Sequence, residues 1–375
     1  MKHILYLTMA PIDESSGVYK KIISQTIAFY KLGYECKVLF VRDSNDAYIY
    51  DIDAGLVEIN VKNKVHTRNL KAYLKDCDFC YVRFELLRHF NYHKIILLCI
   101  CLGVKVVTEI PTYPPYQESL ARVKELFHNR LFFKSIKTLL GTLLVIMDVY
   151  LFALYSKMVV LVADDKKFLF SKTLRIENGI NIDANPFQTS ISSDKINIIA
   201  VSNFSVWNGY DRALVGLKKY IDMTGNHDIR LIMVGNIESG KSLIKLAKEL
   251  NVLADVEFTG ALSGKELDKA YAHANLALCA LGNHRRKVYS NSSLKAKEYA
   301  ARGMLMIISE AEGIENEIKN SSFIVKSDES PLDFTKIRDW YVSLQNKEQI
   351  RQMISAYAKQ HFSWNSQIQK IIQKI

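Results

Sequence analysis

A chain of 375 residues, 49% hydrophobic and 24% charged, carries enough apolar mass for two cores and is excluded from the disordered and the disulfide-stapled miniprotein classes. A formal charge of +11 and a pI near 9.1 call for an anionic partner, either nucleic acid, an anionic membrane surface or a phosphorylated small molecule. The cations are scattered and no zinc-finger, homeodomain or RNA-recognition signature occurs, so nucleic acid is not the expected partner.

The opening MKHILYLTMAP reads directly as a strand, without the charged region, apolar core and cleavage site of a leader, so a cytoplasmic location is expected. His3 to Met9 is the first strand, Ala10 to Gly17 a loop, and Val18 to Leu32 a helix stopped by Gly33, before a strand at Cys36 to Val41. Strand, helix, strand implies parallel pairing, and Gly17 then lies at the strand end where open α/β sheets take ligands. Further strands are expected at Leu56 to Val61, Asp78 to Phe84, Lys105 to Ile110 and Met158 to Val162, with helices around Leu70 to Leu74, Tyr92 to Leu102 and Glu118 to Tyr155. EIPTYPPYQE, Glu109 to Glu118, cannot be helical across three prolines and reads as a stiff loop, suited equally to lining a site or to a structural turn.

Asn178-Gly179 marks a turn before the polar stretch Asp183 to Asp194, where the domain boundary is placed. A second α/β series follows, with strands at Ile196 to Val201, Arg230 to Val234, Val256 to Thr259, Asn275 to Cys279 and Met304 to Ile308. Helices fall between them at Gly209 to Ile221, Lys241 to Leu250 and Gly264 to His273. Beyond Pro331 the pattern is helical, ending in a helix capped by Ser363. Two doubly wound domains in tandem are the simplest architecture for this alternation.

Several local patterns have plainer readings. Leu139 to Tyr155 is strongly apolar but contains Asp148, so a buried or membrane-surface helix is expected rather than a span. Cys77 and Cys80, and Cys99 and Cys101, fall in strand and helix patterns and read as reduced core thiols rather than metal knuckles. Asp51-Ile52-Asp53 reads as a solvated strand edge, and the scattered histidines support no Ser–His–Asp triad. GNIESGKS, Gly235 to Ser242, matches the P-loop pattern, yet no later strand ends in an aspartate for magnesium.

Leu281 to Ile308 carries the most suggestive chemistry. His284, Arg285, Arg286 and Lys287 precede a helix that Ser292 or Ser293 can cap, and its free N–H groups and positive dipole end suit an anion; the residue types suit equally an ordinary amphipathic helix after a solvated basic loop. Glu298 lies further along that helix, able to accept hydrogen bonds from sugar hydroxyls.

VSNFSVWNGYDRAL after the second domain's first strand, then IMVGN, VEFTGALSGKELDKAYAHANLALCALG, LGNHRRKVYSNSSLKAKEYAARG and a final FSW helix resemble, in order and spacing, GT-B glycosyltransferases of the family-4 type. The version found in bacterial surface-polysaccharide gene clusters is the nearest in pattern, and EIPTYPPYQE and ENGI fit it too. The resemblance implies two Rossmann-like domains facing a cleft, 1–182 for the acceptor and 183–375 for the donor, with the last helix, about 363–374, packing back on the first. It implies a retaining, metal-independent transferase moving a sugar from a UDP- or GDP-linked donor to a hydroxyl of a lipid- or protein-linked glycan, with no further cofactor.

By the same resemblance Glu298 is expected at the ribose, and Arg285, Ser292, Ser293, Leu294 and Lys295, with His284, at the diphosphate. Asn203, Ser205, Arg212, Gly235 and Gly260 complete the donor side, Gly17 lines the cleft, and Glu109, Thr112 and His284 are assigned to the chemistry. The family's first glutamate is replaced by Ser290, and its usual Arg and Lys by Asn203 and Asn208. These departures make a catalytically weak subunit supporting a partner transferase the alternative, with a P-loop NTPase behind it. The basic balance and the apolar helices near Phe132 to Tyr155 add the anionic inner face of a membrane as an expected partner.

Overall fold

The computed structural model describes residues 2–13, 16–41, 47–51, 55–59, 71, 74–85, 90–111, 113, 115–116, 120, 123, 126–127, 131–162, 166–168, 170–188, 194–286, 293–313 and 316–375. The chain divides into two units, Met1–Gly179 with Trp364–Ile375, and Ile180–Ser363.

The first unit runs β1 (Lys2–Thr8), α1 (Gly17–Lys31), β2 (Tyr34–Val41), β3 (Ala47–Asp51), β4 (Gly55–Ile59), β5 (Phe79–Arg83), α2 (Phe90–Cys101), β6 (Lys105–Ile110), α3 (Phe132–Tyr155), β7 (Met158–Val162) and β8 (Lys172–Ile176). Among the described residues its strands order β4-β3-β2-β1-β5-β6-β7-β8. β3 and β4 add antiparallel to an otherwise parallel sheet. β5 and β7 are buried along their whole length, which is why they read as continuous apolar runs: helices cover both faces. β3, a five-residue strand between β2 and β4, and β8, at the opposite edge of the sheet, are not among the strands expected from sequence, since neither carries a continuous apolar run. α1 starts where Ser16 Oγ accepts the Val18 N–H at 3.2 Å.

The second unit runs β9 (Ile196–Val201), α4 (Tyr210–Thr224), β10 (Ile229–Val234), α5 (Ile237–Glu249), β11 (Val256–Gly260), α6 (Gly264–Ala272), β12 (Leu276–Leu278), α7 (Leu294–Ala301), β13 (Leu305–Ser309), α8 (Asn316–Lys319), β14 (Ser322–Val325), α9 (Phe334–Ser343) and α10 (Lys347–His361). Its parallel sheet is ordered β11-β10-β9-β12-β13-β14. The sequence in space is thus third, second, first, fourth, fifth, sixth, the doubly wound arrangement of a Rossmann unit.

The last helix, α11 (Trp364–Ile372), returns to the first unit, where Trp364, Ile368 and Ile371 join the core containing Tyr6, Phe29 and Tyr81. Gly179 makes this seat possible, since a Cβ there would lie 2.4 Å from the Trp364 ring.

Candidate functional site

Strand order in the second unit reverses between β9 and β12, and an open α/β sheet takes its ligand beyond the carboxyl ends of the strands at such a point. The loops leaving these two strands are clasped there. Leu281 N–H donates to Asn208 O at 2.8 Å and Gly282 N–H to Trp207 O at 3.1 Å. The approach needs glycine at 209, where φ is +66° and a Cβ would sit 2.7 Å from Gly282 N. Asn203 shapes the β9 loop, its Oδ1 accepting from Ser205 Oγ at 2.8 Å and from Asn208 Nδ2 at 3.3 Å.

α7 points its first turn at this junction. Ser293 caps it, Oγ accepting from Ala296 N–H at 3.3 Å, and the Leu294 and Lys295 amides find no acceptor among the described residues. Lys295 Nζ donates to Asn208 Oδ1 and to the Tyr210 hydroxyl, both at 2.9 Å, so a fixed cation stands beside the amides. Glu298, partly buried, forms no side-chain hydrogen bond among the described residues. Burial raises its pKa against the opposing pull of Arg302 and Lys295. Amides, cation and an unengaged carboxyl are what a ligand with phosphates and sugar hydroxyls requires.

A further acid, absent from the sequence reading, stands at the same turn. Glu312 follows β13 and is 3% exposed; Oε1 accepts the Ser293 N–H at 3.2 Å, while Oε2 is buried without a partner among the described residues. Burial pushes its pKa up to about 7, outweighing the Ser293 amide, Lys295 and Lys297. No local signal marks Glu312. It reaches α7 only because β13 runs parallel to β12 and returns the chain to the same sheet edge.

Other expected donor-side residues are engaged differently. Arg285 donates Nη1 and Nη2 to Asp211 at 2.9 and 2.7 Å and Nε to Glu329 at 2.9 Å, and His284 Nε2 meets Glu329 at 2.8 Å. Their hydrogen bonds hold the Glu329 carboxyl down at about 2. Both residues are therefore tied up in a carboxylate network rather than presented to a diphosphate. Arg212 is buried, donating to the carbonyls of Leu281, Ser330 and Lys326 at 2.6, 2.7 and 2.9 Å, so it staples loops together instead of meeting a donor. Gly235 is packed too tightly for any side chain, its Cβ position 2.0 Å from Ser202 O, while Gly260 accepts the Gly235 N–H at 3.0 Å. Ser290 and Ser292 lie outside the described residues.

In the first unit Gly17 opens α1, with nothing within 4 Å of a Cβ placed there. Glu109 is wholly buried near the end of β6. Lys21 Nζ and Arg83 Nη1 each reach Oε1 at 3.0 Å, and Gln25 Nε2 and Tyr81 OH donate to Oε2 at 2.6 and 2.7 Å. Burial would raise its pKa, but Lys21, Arg83 and the Tyr81 hydrogen bond hold it down at about 2. A carboxylate with both oxygens engaged and its pKa held low is a poor proton acceptor at neutral pH, so the expectation of a catalytic Glu109 gives way to a structural one. Thr112 and Asp53 lie outside the described residues, and of Asp51 the backbone end of β3 is described.

The P-loop pattern does not form its cradle. Asn236 Oδ1 caps the Glu238 N–H at 2.8 Å, α5 starts at Ile237 rather than the expected Lys241, and Gly240 lies inside the helix against Phe204. Lys241 pairs with Glu238 on the surface. Leu143 to Asp148, an apolar run ending in aspartate upstream of the motif, is part of the helix α3 and not a strand.

Residues 181–361 match the family model of the glycosyl transferases group 1, nearly end to end with the second unit. The chain is a glycosyltransferase. Its fold is GT-B, similar to that of solved structures with low sequence identity. Sucrose-phosphate synthase from Thermosynechococcus elongatus has a TM-score of 0.61 at 14% identity, covering 100% of this chain and 98% of that one. Anabaena HepE in complex with UDP has a TM-score of 0.62 at 14%, covering 100% of both. WaaG, a glycosyltransferase involved in lipopolysaccharide biosynthesis, has a TM-score of 0.57 at 14%, covering 98% and 99%. A comparison with curated proteins finds no match. The switch-point assembly of Asn208, Tyr210, Ser293, Lys295, Glu298 and Glu312 lies inside the residues matched by the glycosyltransferase family model.

Proposed function

We propose that this glycosyltransferase moves a sugar from a UDP- or GDP-linked donor to a hydroxyl of a lipid- or protein-linked glycan, in bacterial surface-polysaccharide biosynthesis, with retention of configuration and without a metal. The observation that carries the donor part is the first turn of α7. Two amides without acceptors among the described residues and the anchored Lys295 ammonium belong to one turn, and the Glu298 carboxyl, without a side-chain hydrogen bond among the described residues, follows one turn on. There the diphosphate would lie on the amides and Lys295, and the ribose hydroxyls would donate to Glu298. Fixed donors of this kind stabilise charge building on a departing diphosphate, the work a metal would otherwise perform. UDP bound to HepE and the lipopolysaccharide role of WaaG support the donor class and the acceptor class respectively.

Titration calorimetry with UDP, GDP and ADP tests the donor site. Removing one charge-assisted contact costs roughly 1.5–3 kcal/mol, so Lys295→Ala and Glu298→Ala are expected to weaken the preferred nucleotide about 10- to 100-fold. Lys241→Ala should leave it unchanged. Loss of binding in Lys241→Ala alone would revive the P-loop reading, and heat from none of the nucleotides would favour a silent subunit. Retention is tested by the anomeric configuration of the first-formed product in NMR.

A further inference from the structure

α3 is built inside out. Its buried side includes Ser135 and Thr142 with Val145, Val149 and Phe152, whereas the opposite side presents Phe133, Ile136, Leu140, Leu143, Met147 and Leu154 to solvent. These six recur at helical spacing of three, four and seven residues, so they form one stripe along a helix about 36 Å long. Phe133 is 92% exposed and the other five lie between 50% and 59%. Such a stripe far exceeds the scattered apolar residues of an ordinary surface.

Beside the C-terminal half of the helix the stripe opens into a cavity of about 480 Å³, walled by Met147, Tyr150, Leu154, Phe168 and Phe170 and bordered by Lys166 and Lys167. At the N-terminal half Lys134 and Lys137 are exposed. The helix's single acid, Asp148, faces His93 at 3.9 Å. Apolar surface bounded by cations at both ends has two candidate covers, a second copy of the chain or a lipid surface. A two-fold pairing of the stripe sets lysines against lysines in either direction, because both ends are cationic, whereas an anionic leaflet neutralises both.

We propose that α3 lies in the plane of an anionic phospholipid leaflet, with its exposed stripe among the acyl chains, one chain entering the cavity beside Phe168, and Lys166 and Lys167 meeting the headgroup phosphate. Crossing the bilayer is excluded by how the helix is tied in. Val145, Val149, Phe152 and Ala153 belong to the first unit's core, Ser135 Oγ donates to Val123 O at 3.1 Å, and Lys157 N–H, two residues past the helix, donates to Val106 O at 2.8 Å. A spanning helix would pull the buried strand β7 into the lipid with it. The inference does not depend on the donor site.

Vesicle flotation of the full chain with phosphatidylcholine alone and with about 30% phosphatidylglycerol tests it, since mixed vesicles supply the surface charge that recruits lysines. Binding to the anionic vesicles is expected at low salt. The surface variant Leu140→Gln/Leu143→Gln/Met147→Gln should lose it by about 100-fold, as three apolar side chains no longer leave water. Lys166→Ala/Lys167→Ala should lower binding to the anionic vesicles roughly tenfold while leaving binding to neutral ones level. In a Tyr150→Trp variant, the indole fluorescence should be quenched by lipids brominated on the acyl chain. The proposal is overturned if the wild type ignores anionic vesicles, if the triple variant binds as well as the wild type, or if the introduced indole escapes quenching in the vesicle-bound protein. It is also overturned if sedimentation without lipid shows a dimer that the triple variant abolishes while vesicle binding persists.

Discussion

Glu109→Ala is expected to destabilise the first unit by about 3–5 kcal/mol, the usual result of removing one partner from a buried ion pair. Lys21 and Arg83 would lose their shared buried counter-charge, leaving Arg83 with Glu85 and Lys21 with Asn178, and Gln25 and Tyr81 would each lose a hydrogen bond. The same carboxylate links stability to pH. Its folded pKa, about 2, lies below the 4.5 of a free glutamate, so its contribution is complete above pH 4.5 and is lost as pH falls towards 2. Urea unfolding of wild type and variant at pH 7, followed by near-ultraviolet circular dichroism, measures the difference. A variant with unchanged stability but no transferase activity would return Glu109 to the catalytic role expected for it from sequence.

Glu312→Gln should act in the opposite direction. The folded carboxyl titrates near 7 and an unfolded one near 4.5, so between those values the folded state keeps a proton that the unfolded state has released. Stability therefore falls as pH rises from 4.5 to 7 and is level above. Glutamine retains an acceptor for the Ser293 amide but never ionises. At pH 8 the variant should be more stable by roughly 3 kcal/mol, or about 6–12 °C in Tm for a unit of this size, and at pH 5 by only about 1 kcal/mol. Scanning calorimetry at both pH values decides it. Equal melting temperatures at pH 8 would mean that Glu312 ionises there without penalty.

These two acids mark where sequence reasoning stops, and the elements around them show where it succeeds. The second unit's strands β9 to β13, though not the edge strand β14, and the cap and stop of α7 follow from short-range rules: alternation of apolar runs, Ser293 beside a helix start, Gly303 with φ of +71° after its end. Ser293, Lys295 and Glu298 could be named together because they share one turn-and-helix segment.

The engagement of the other residues was not legible. Arg285 is occupied by Asp211 and Glu329, 74 and 44 positions away, Arg212 by carbonyls near position 330, and Glu109 by side chains from β5 and α1. Whether a charged group is free for a ligand depends on partners that parallel crossovers bring from distant parts of the chain, and residue type alone carries no record of them. α3 follows the same rule, because its apolar composition could be read directly but the side left uncovered could not. Local periodicity and capping chemistry determined most elements of this glycosyltransferase and the turn-and-helix segment of α7. Tertiary packing decided which charges stay available, which are spent inside the fold, and which apolar face is left for a partner, since burial and hydrogen-bond saturation are properties of the assembled neighbourhood.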